Sequence, residues 1–249
     1  MTTHQIAGST AIVTGAGRGF GRGIATALVQ AGVRVVGVAR SGDELEKVHA
    51  ELGDAFSAVV ADVTDQDLAA RLIERHRPGT LVLNAGADPV ARPLQEHTWD
   101  TFRAAWEVDV KQVFHWARAA LLAPLAPGST VVSFSSGAAV KGSPLSGGYA
   151  GAKATVRFVS SYAGGESARN SLGIRFVSVL PALTPATGLG AKAVAAYAAR
   201  QGVDVPTYLR GTGPALTPAK VGEELVGLVG DPDQAHPAYL LTADGLSPL

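Results

Sequence analysis

The chain is 249 residues long, with 47% hydrophobic and 17% charged residues, which is enough apolar material for one α/β domain around a single core. Its 21 basic and 21 acidic residues cancel, so no chain-wide positive field recruits nucleic acid or anionic lipid, and neither is an expected partner. Cysteine is absent, which excludes disulfides, thiolate metal ligands and cysteine nucleophiles together.

In chain order, residues 1–9 are polar, and no later stretch approaches the roughly 18 consecutive apolar residues of a spanning helix, so the expected location is cytoplasmic. Short β-branched runs then recur at 10–14, 33–38, 56–60, 80–84, 130–134 and 174–180, with a possible seventh at 239–241. They lack apolar/polar alternation and predict strands buried on both faces of a parallel sheet. Between them, apolar residues stand at helical spacing: Ile24, Leu28 and Ala31, then Leu68 and Leu72, then Phe102, Trp106, Val110 and Phe114. Regular strand and helix alternation predicts right-handed βαβ units and a doubly wound parallel sheet with helices on both faces. Ligands of such sheets bind beyond the carboxyl ends of the strands. No linker divides residues 1–249, which predicts a single domain. Residues 185–218, rich in Ala, Gly and Pro beside that edge, read either as a lid over the ligand or as an ordinary surface helix at 191–200 with flanking turns. Trp99, Phe102, Trp106, Val113 and Trp116 give one helix an aromatic character expected of core, with part of it available for an oligomer interface.

The first run passes straight into Thr14-Gly15-Ala16-Gly17-Arg18-Gly19-Phe20-Gly21. Strand, glycine turn and helix N-terminus in this order let the backbone approach a pyrophosphate and offer it free N–H groups. The spacing is Thr-Gly-x3-Gly-x-Gly rather than G-x-G-x-x-G, because Arg22 and Ile24 stand where a third glycine would fall. The second run ends at Ala39-Arg40, where an NAD enzyme of this architecture places an acid on the ribose hydroxyls. Arg40, with Arg18 nearby, can instead engage a 2'-phosphate, so NADP(H) is the expected cofactor.

Tyr149 and Lys153 stand one helical turn apart on one face. A free phenol, with a pKa near ~10, shuttles protons poorly at neutral pH, and a neighbouring ammonium favours the phenolate. Ser135-Ser136 closes the fifth run, which places a hydroxyl at the same edge.

The glycine turn, Asp62-Val63 after the third run, Asn84-Ala85-Gly86 after the fourth, and the Ser136 to Tyr149-x3-Lys153 spacing together resemble the short-chain dehydrogenase/reductase family over nearly the whole chain. The resemblance implies a Rossmann-like fold and an NADP(H)-dependent carbonyl reductase or alcohol dehydrogenase. It implies that Tyr149 exchanges a proton with the substrate oxygen, that Ser136 hydrogen-bonds that oxygen, and that Lys153 assists the tyrosine and holds the nicotinamide ribose. It assigns the cofactor to Gly15, Arg18, Gly19, Phe20, Gly21, Arg40, Asp62, Val63, Asn84, Ala85, Gly86, Tyr149, Lys153, Pro181, Ala182 and Thr184, with Thr187 a second contact for the carboxamide. A homotetramer or homodimer is also implied, joined through the helices at 99–122 and 149–169.

The chain departs from the family at Asp109, where Asn is usual, and at Pro181-Ala182, where Pro-Gly is usual. Residues 242–245 also lack the glycine that normally precedes the terminal Asp-Gly. A carboxylate at 109 can pair with Lys153, stabilise its ammonium and weaken its pull on the phenol, which predicts an alkaline-shifted rate profile. Asp109 also keeps open a non-redox enzyme on this fold, such as a dehydratase, epimerase or cyclase. A cofactor-sensing regulator is a third reading, disfavoured by the retention of Ser136, Tyr149 and Lys153. His4, His49, His76, His97, His115 and His236 fall in no nucleophile or metal motif, which weakens a hydrolase reading and predicts no metal. Gly137, Ala138 and Ala139, with Ala87, Asp88 and Pro89 opposite, predict a pocket for a small, hydrophobic ketone or alcohol.

Overall fold

A computed structural model describes residues 6–234 and 236–249; His4 and most of the polar amino-terminal segment lie outside them. The glycine turn joins β1 (Thr10–Thr14) to α1 (Gly19–Gln30), followed by β2 (Arg34–Ala39), α2 (Gly42–Leu52) and β3 (Phe56–Val60). Next come α3 (Leu68–His76), β4 (Thr80–Leu83) and α4 (Trp99–Ala105), which runs through a π-helical turn (Trp106–Val110) into α5 (Lys111–Leu122). The second half holds β5 (Thr130–Phe134), the single turn α6 (Ala138–Lys141), α7 (Gly147–Arg169) and β6 (Arg175–Pro181). It ends with α8 (Gly188–Arg200), α9 (Val205–Arg210), α10 (Pro218–Gly230), β7 (Ala238–Thr242) and β8 (Gly245–Pro248).

The strands form one sheet in the order β3-β2-β1-β4-β5-β6-β7-β8, parallel throughout except for the antiparallel β7–β8 pair. The doubly wound sheet expected from the β-branched runs is present, with strand ends moved by a residue. Side-chain alternation sorts the core onto two faces. Ala11 and Val13 of β1 and Val82 of β4 pack with Ile24, Leu28 and Leu225 on one face, whereas Ile12, Leu81 and Leu83 meet Leu72, Val113 and Trp116 on the other. On the first face α1 and α10 cross with little space: a Cβ on Gly23 would lie 2.2 Å from Pro218 O, and one on Gly222 would lie 2.4 Å from Gly23 O.

Three expectations need correction. β3 is not buried on both faces: Ser57, Ala58 and Val60 are exposed, because β3 is the sheet edge and has a neighbour only at β2. β8 carries no β-branched signal and forms because residues 243 and 244 turn the chain back onto β7, with Gly245 at φ 116° and Leu246 N–H donating to Glu224 Oε2 at 3.1 Å. The aromatic helix is only half core. Trp116 is fully buried, but Trp99 is 71% exposed and stacks on Phe102, because the π-helical turn interrupts the 3.6-residue register between the two stretches.

Candidate functional site

β1 and β4 are neighbours although two strands lie between them in the sequence, so the loops after them leave on either side of the point where the strand order reverses. Thr14 ties the two loops together. Its hydroxyl donates to Val82 O and accepts the N–H groups of Asn84 at 2.9 Å and Ala85 at 3.1 Å. Asn84 Nδ2 returns a bond to Thr14 O at 3.1 Å, and Gln112 Nε2 holds Ala85 O at 2.9 Å.

In the glycine turn, a Cβ on Gly15 would fall 2.9 Å from Ala85 Cα, and one on Gly21 would fall 2.0 Å from Gly15 O. Gly15 and Gly19 hold φ values of 67° and 54°, a region that disfavours other residues. Arg18 precedes α1 without capping it by side chain, and no acid stands in the first turn, so the leading N–H groups remain open to an anion. This cradle fits a pyrophosphate. Phe20 is half-buried against the core beneath it.

Beyond β2, Arg40 is exposed, and Arg18 Nη1 lies 3.5 Å from Glu44 Oε1. Asp62 Oδ1 accepts both the N–H and the hydroxyl of Thr64, and the backbone bond in particular holds its carboxyl below the usual range. Val63 is buried, and its carbonyl accepts Trp116 Nε1 at 3.1 Å.

The reactive side chains converge on the end of β5. Ser135 is buried and donates to Lys153 O at 2.7 Å, fixing α7 against the strand, while the Ser136 hydroxyl accepts Ala138 N–H at 3.2 Å. Lys153 Nζ donates to Phe134 O at 2.9 Å and lies 5.6 Å from the Tyr149 ring centre. It also forms an ion pair with Asp109, with Nζ 2.9 Å from Oδ2. Burial alone pulls the ammonium's pKa down, but the charge of Asp109, then that of Tyr149, outweighs it and holds Lys153 above the ordinary lysine value. Asp109 reaches this position from the π-helical turn and is anchored by Ala87 N–H, which donates to Oδ1 at 2.8 Å. Gly86 has no side chain to keep it away: a Cβ there would lie 2.9 Å from Asp109 Oδ2.

Pro181 O accepts Gly137 N–H at 2.9 Å and Ala182 N–H donates to Leu241 O at 2.8 Å; Ala182 has no positive φ, so the methyl in place of hydrogen strains nothing there. The Thr184 hydroxyl is buried, donating to Leu216 O at 2.8 Å, and Thr187 caps α8 through Gly190 N–H. Sequence reasoning gave no role to Gln112 or Gly148, and it marked Thr14, Ser135 and Trp116 only as members of the glycine turn, the end of the fifth run and the aromatic helix. A Cβ on Gly148 would lie 2.0 Å from Phe102 O, so this glycine lets α4 come close beside Tyr149.

A solvent-open cleft with about 360 Å³ of unfilled space, part of it bulk solvent, lies between α8 and the loops that precede α4 and α7, bordered by Asp88, Pro89, Leu145, Lys192 and Tyr197 among others. A smaller space of about 210 Å³, sharing Pro89 and Ser146 with it, reaches Tyr149. Gly137, Ala138 and Ala139 border neither space; the last two open α6. Two contacts fasten α8 across the cleft: Lys192 pairs with Asp88, and the Tyr197 hydroxyl meets that of Ser143.

The family model described as short chain dehydrogenase matches residues 9–205. The chain belongs to that family. It is therefore an oxidoreductase of a family that uses nicotinamide cofactors and acts on small molecules. A cis-4-hydroxycyclohexanecarboxylate dehydrogenase of Sinomonas cyclohexanicum is 31% identical over 244 residues, 94% of each chain. An NADP-dependent (R)-specific alcohol dehydrogenase of Lentilactobacillus kefiri is 28% identical over 187 residues, 72% of this chain and 74% of its own. Among solved structures, an NAD+-bound xylitol dehydrogenase superposes with a TM-score of 0.81 at 20% identity, covering 93% of this chain and 95% of its own, which speaks for the fold. No described helix is long and apolar enough to cross a membrane.

Proposed function

We propose that this short-chain dehydrogenase interconverts a secondary alcohol and its ketone with NADP(H). The observation that carries the reading is the Tyr149–Lys153 pair, fixed to β5 by Ser135 and Phe134 at the sheet edge where the glycine cradle opens. The nicotinamide supplies the hydride chemistry. Tyr149 gives its proton to the carbonyl oxygen during reduction and takes it back during oxidation. Ser136 donates to the same oxygen and supports its developing charge. Lys153 acts on the phenol through its charge and has donor capacity for a ribose hydroxyl. The preference for a 2'-phosphate rests on Ala39, Arg40 and Arg18, although Glu44 draws on the last of these. The segment 185–218, with α8 and α9, acts as the lid of the substrate cleft. Six-membered ring alcohols are the first substrates to try, given the relative named for one. We place the enzyme in the cytoplasm as a homotetramer or homodimer, joined through α4, α5 and α7.

The test is NADPH oxidation with a panel of ketones and aldehydes, run beside NADH and beside Tyr149→Phe. Turnover should prefer NADPH and fall by roughly 10²–10⁴-fold in the variant, the usual contribution of a general acid, while NADPH binding persists. Tight NADPH binding with no turnover on any carbonyl would favour the non-redox or sensing readings, and equal efficiency with NADH would overturn the cofactor preference.

A further inference from the structure

We infer that the substrate carries a carboxylate and that Lys192 is its anchor. The inference rests on the hydride-transfer reading for the identity of the reacting group, and on the cleft for the rest.

Apart from one charged pair and the hydroxyl residues Ser146 and Tyr197, the larger space is bordered by apolar groups such as Pro89, Leu145, Leu189, Ala193 and Ala196, a wall suited to a hydrocarbon ring. The pair is Lys192 on α8 and Asp88 on the loop after β4, the only ionised side chains that border this space. With side chains 72% and 46% exposed, the two hold each other only weakly. An arriving carboxylate therefore exchanges for Asp88 at little cost. Lys192 swings on a flexible four-carbon stem, and in place of a hydrated partner at the rim it gains one against an apolar wall, where charge-assisted bonds are stronger. The two spaces share Pro89 and Ser146 on their borders and so lie side by side, and a ring reaching across that shared border presents its carbinol carbon to Tyr149 and its far substituent to Lys192. Before binding, Asp88 keeps the ammonium directed across the cleft; its own negative charge opposes the acid, and removing that charge sharpens the anion site.

The test uses the full chain at fixed ionic strength. Cis-4-hydroxycyclohexanecarboxylate, its methyl ester and 4-methylcyclohexanol are compared as substrates with NADP+ and with NAD+. Separately, cyclohexanecarboxylate binding to the NADP+-saturated protein is measured by calorimetry. Lys192→Met should raise the acid-to-ester KM ratio about tenfold with little change in the kcat ratio, and weaken cyclohexanecarboxylate by a similar factor. Lys192→Arg should restore most of both, and Asp88→Asn should tighten the acid selectively. If Lys192→Met moves acid and ester alike, or leaves cyclohexanecarboxylate affinity unchanged, the pair is only a fastening for α8 and the inference falls, while alcohol oxidation stands. If no alcohol is oxidised yet cyclohexanecarboxylate binding depends on Lys192, the hydride-transfer reading falls and the anion site stands.

Discussion

Asp109 and Lys153, with side chains 1% and 7% exposed, are buried far more deeply than any other ion pair among the described residues. Removing one member of such a pair leaves an uncompensated charge, so Lys153→Met should cost about 3–5 kcal/mol in urea unfolding, and adding Asp109→Asn should recover most of it. Additive losses in that cycle would mean the two groups do not couple. Because the folded-state pKa of Lys153 lies above the ordinary lysine value near ~10.4, its contribution is complete below that value and is lost only as pH rises through the folded value. The pairing also spends part of the ammonium's charge on Asp109. In Asp109→Asn the phenol has that charge to itself, so the alkaline limb of the pH–rate profile should move to lower pH, and an unmoved limb would remove Asp109 from the proton chemistry. Ser136, Tyr149 and the glycines were legible because their spacing is local. Thr14, Ser135 and Gln112 were not, since each bonds a backbone group that the sequence does not show to be near; the partners of Thr14 are 70 and 71 residues away.

The crossing of α1 and α10 shows how one hydrogen atom sets the distance between two helices. In Gly222→Ala the new methyl would meet Gly23 O at 2.4 Å and Ala27 Cβ at 2.7 Å; neither is the flexible end of a side chain, so the helices must part. We expect a loss of about 1–3 kcal/mol, read as a lower Tm. Gly227→Ala, on the same helix with nothing within 4 Å of the new methyl, should hold or gain up to about 1 kcal/mol. Equal losses at the two sites would refute the packing account. At this scale the sequence conveyed the repeating strands and helices well, because β-branched runs and 3.6-residue spacing are written into neighbouring residues. It conveyed neither the π-helical turn, whose extra residue shifts Asp109 inward without changing composition, nor β8, which exists because β7 offers it an unpaired edge.

In the whole molecule, Phe114 on α5 and Phe158 and Tyr162 on α7 stand exposed, the last two 67% and 63%, with ring centres 6.1 Å apart. Large apolar side chains grouped in this way are expected to be covered in solution. The double substitution Phe158→Glu, Tyr162→Glu should convert the assembly to monomers in light scattering; a wild-type protein that is already monomeric would overturn the proposed interface. Which surface is left uncovered is a property of the folded chain, and for that reason one dimension did not show which part of the aromatic helix is core and which part is free.

The three tryptophans occupy three different settings: Trp116 is enclosed with its indole N–H held by Val63 O, Trp106 is partly covered and bonded to Gly148 O, and Trp99 is largely bare. The chain thus carries built-in optical probes. Under acrylamide the Trp99 emission should be quenched first and that of Trp116 last. Single-tryptophan variants would then let light report separately on the loop after β3, the entrance to the tyrosine helix and the outer face of α4, with no label attached.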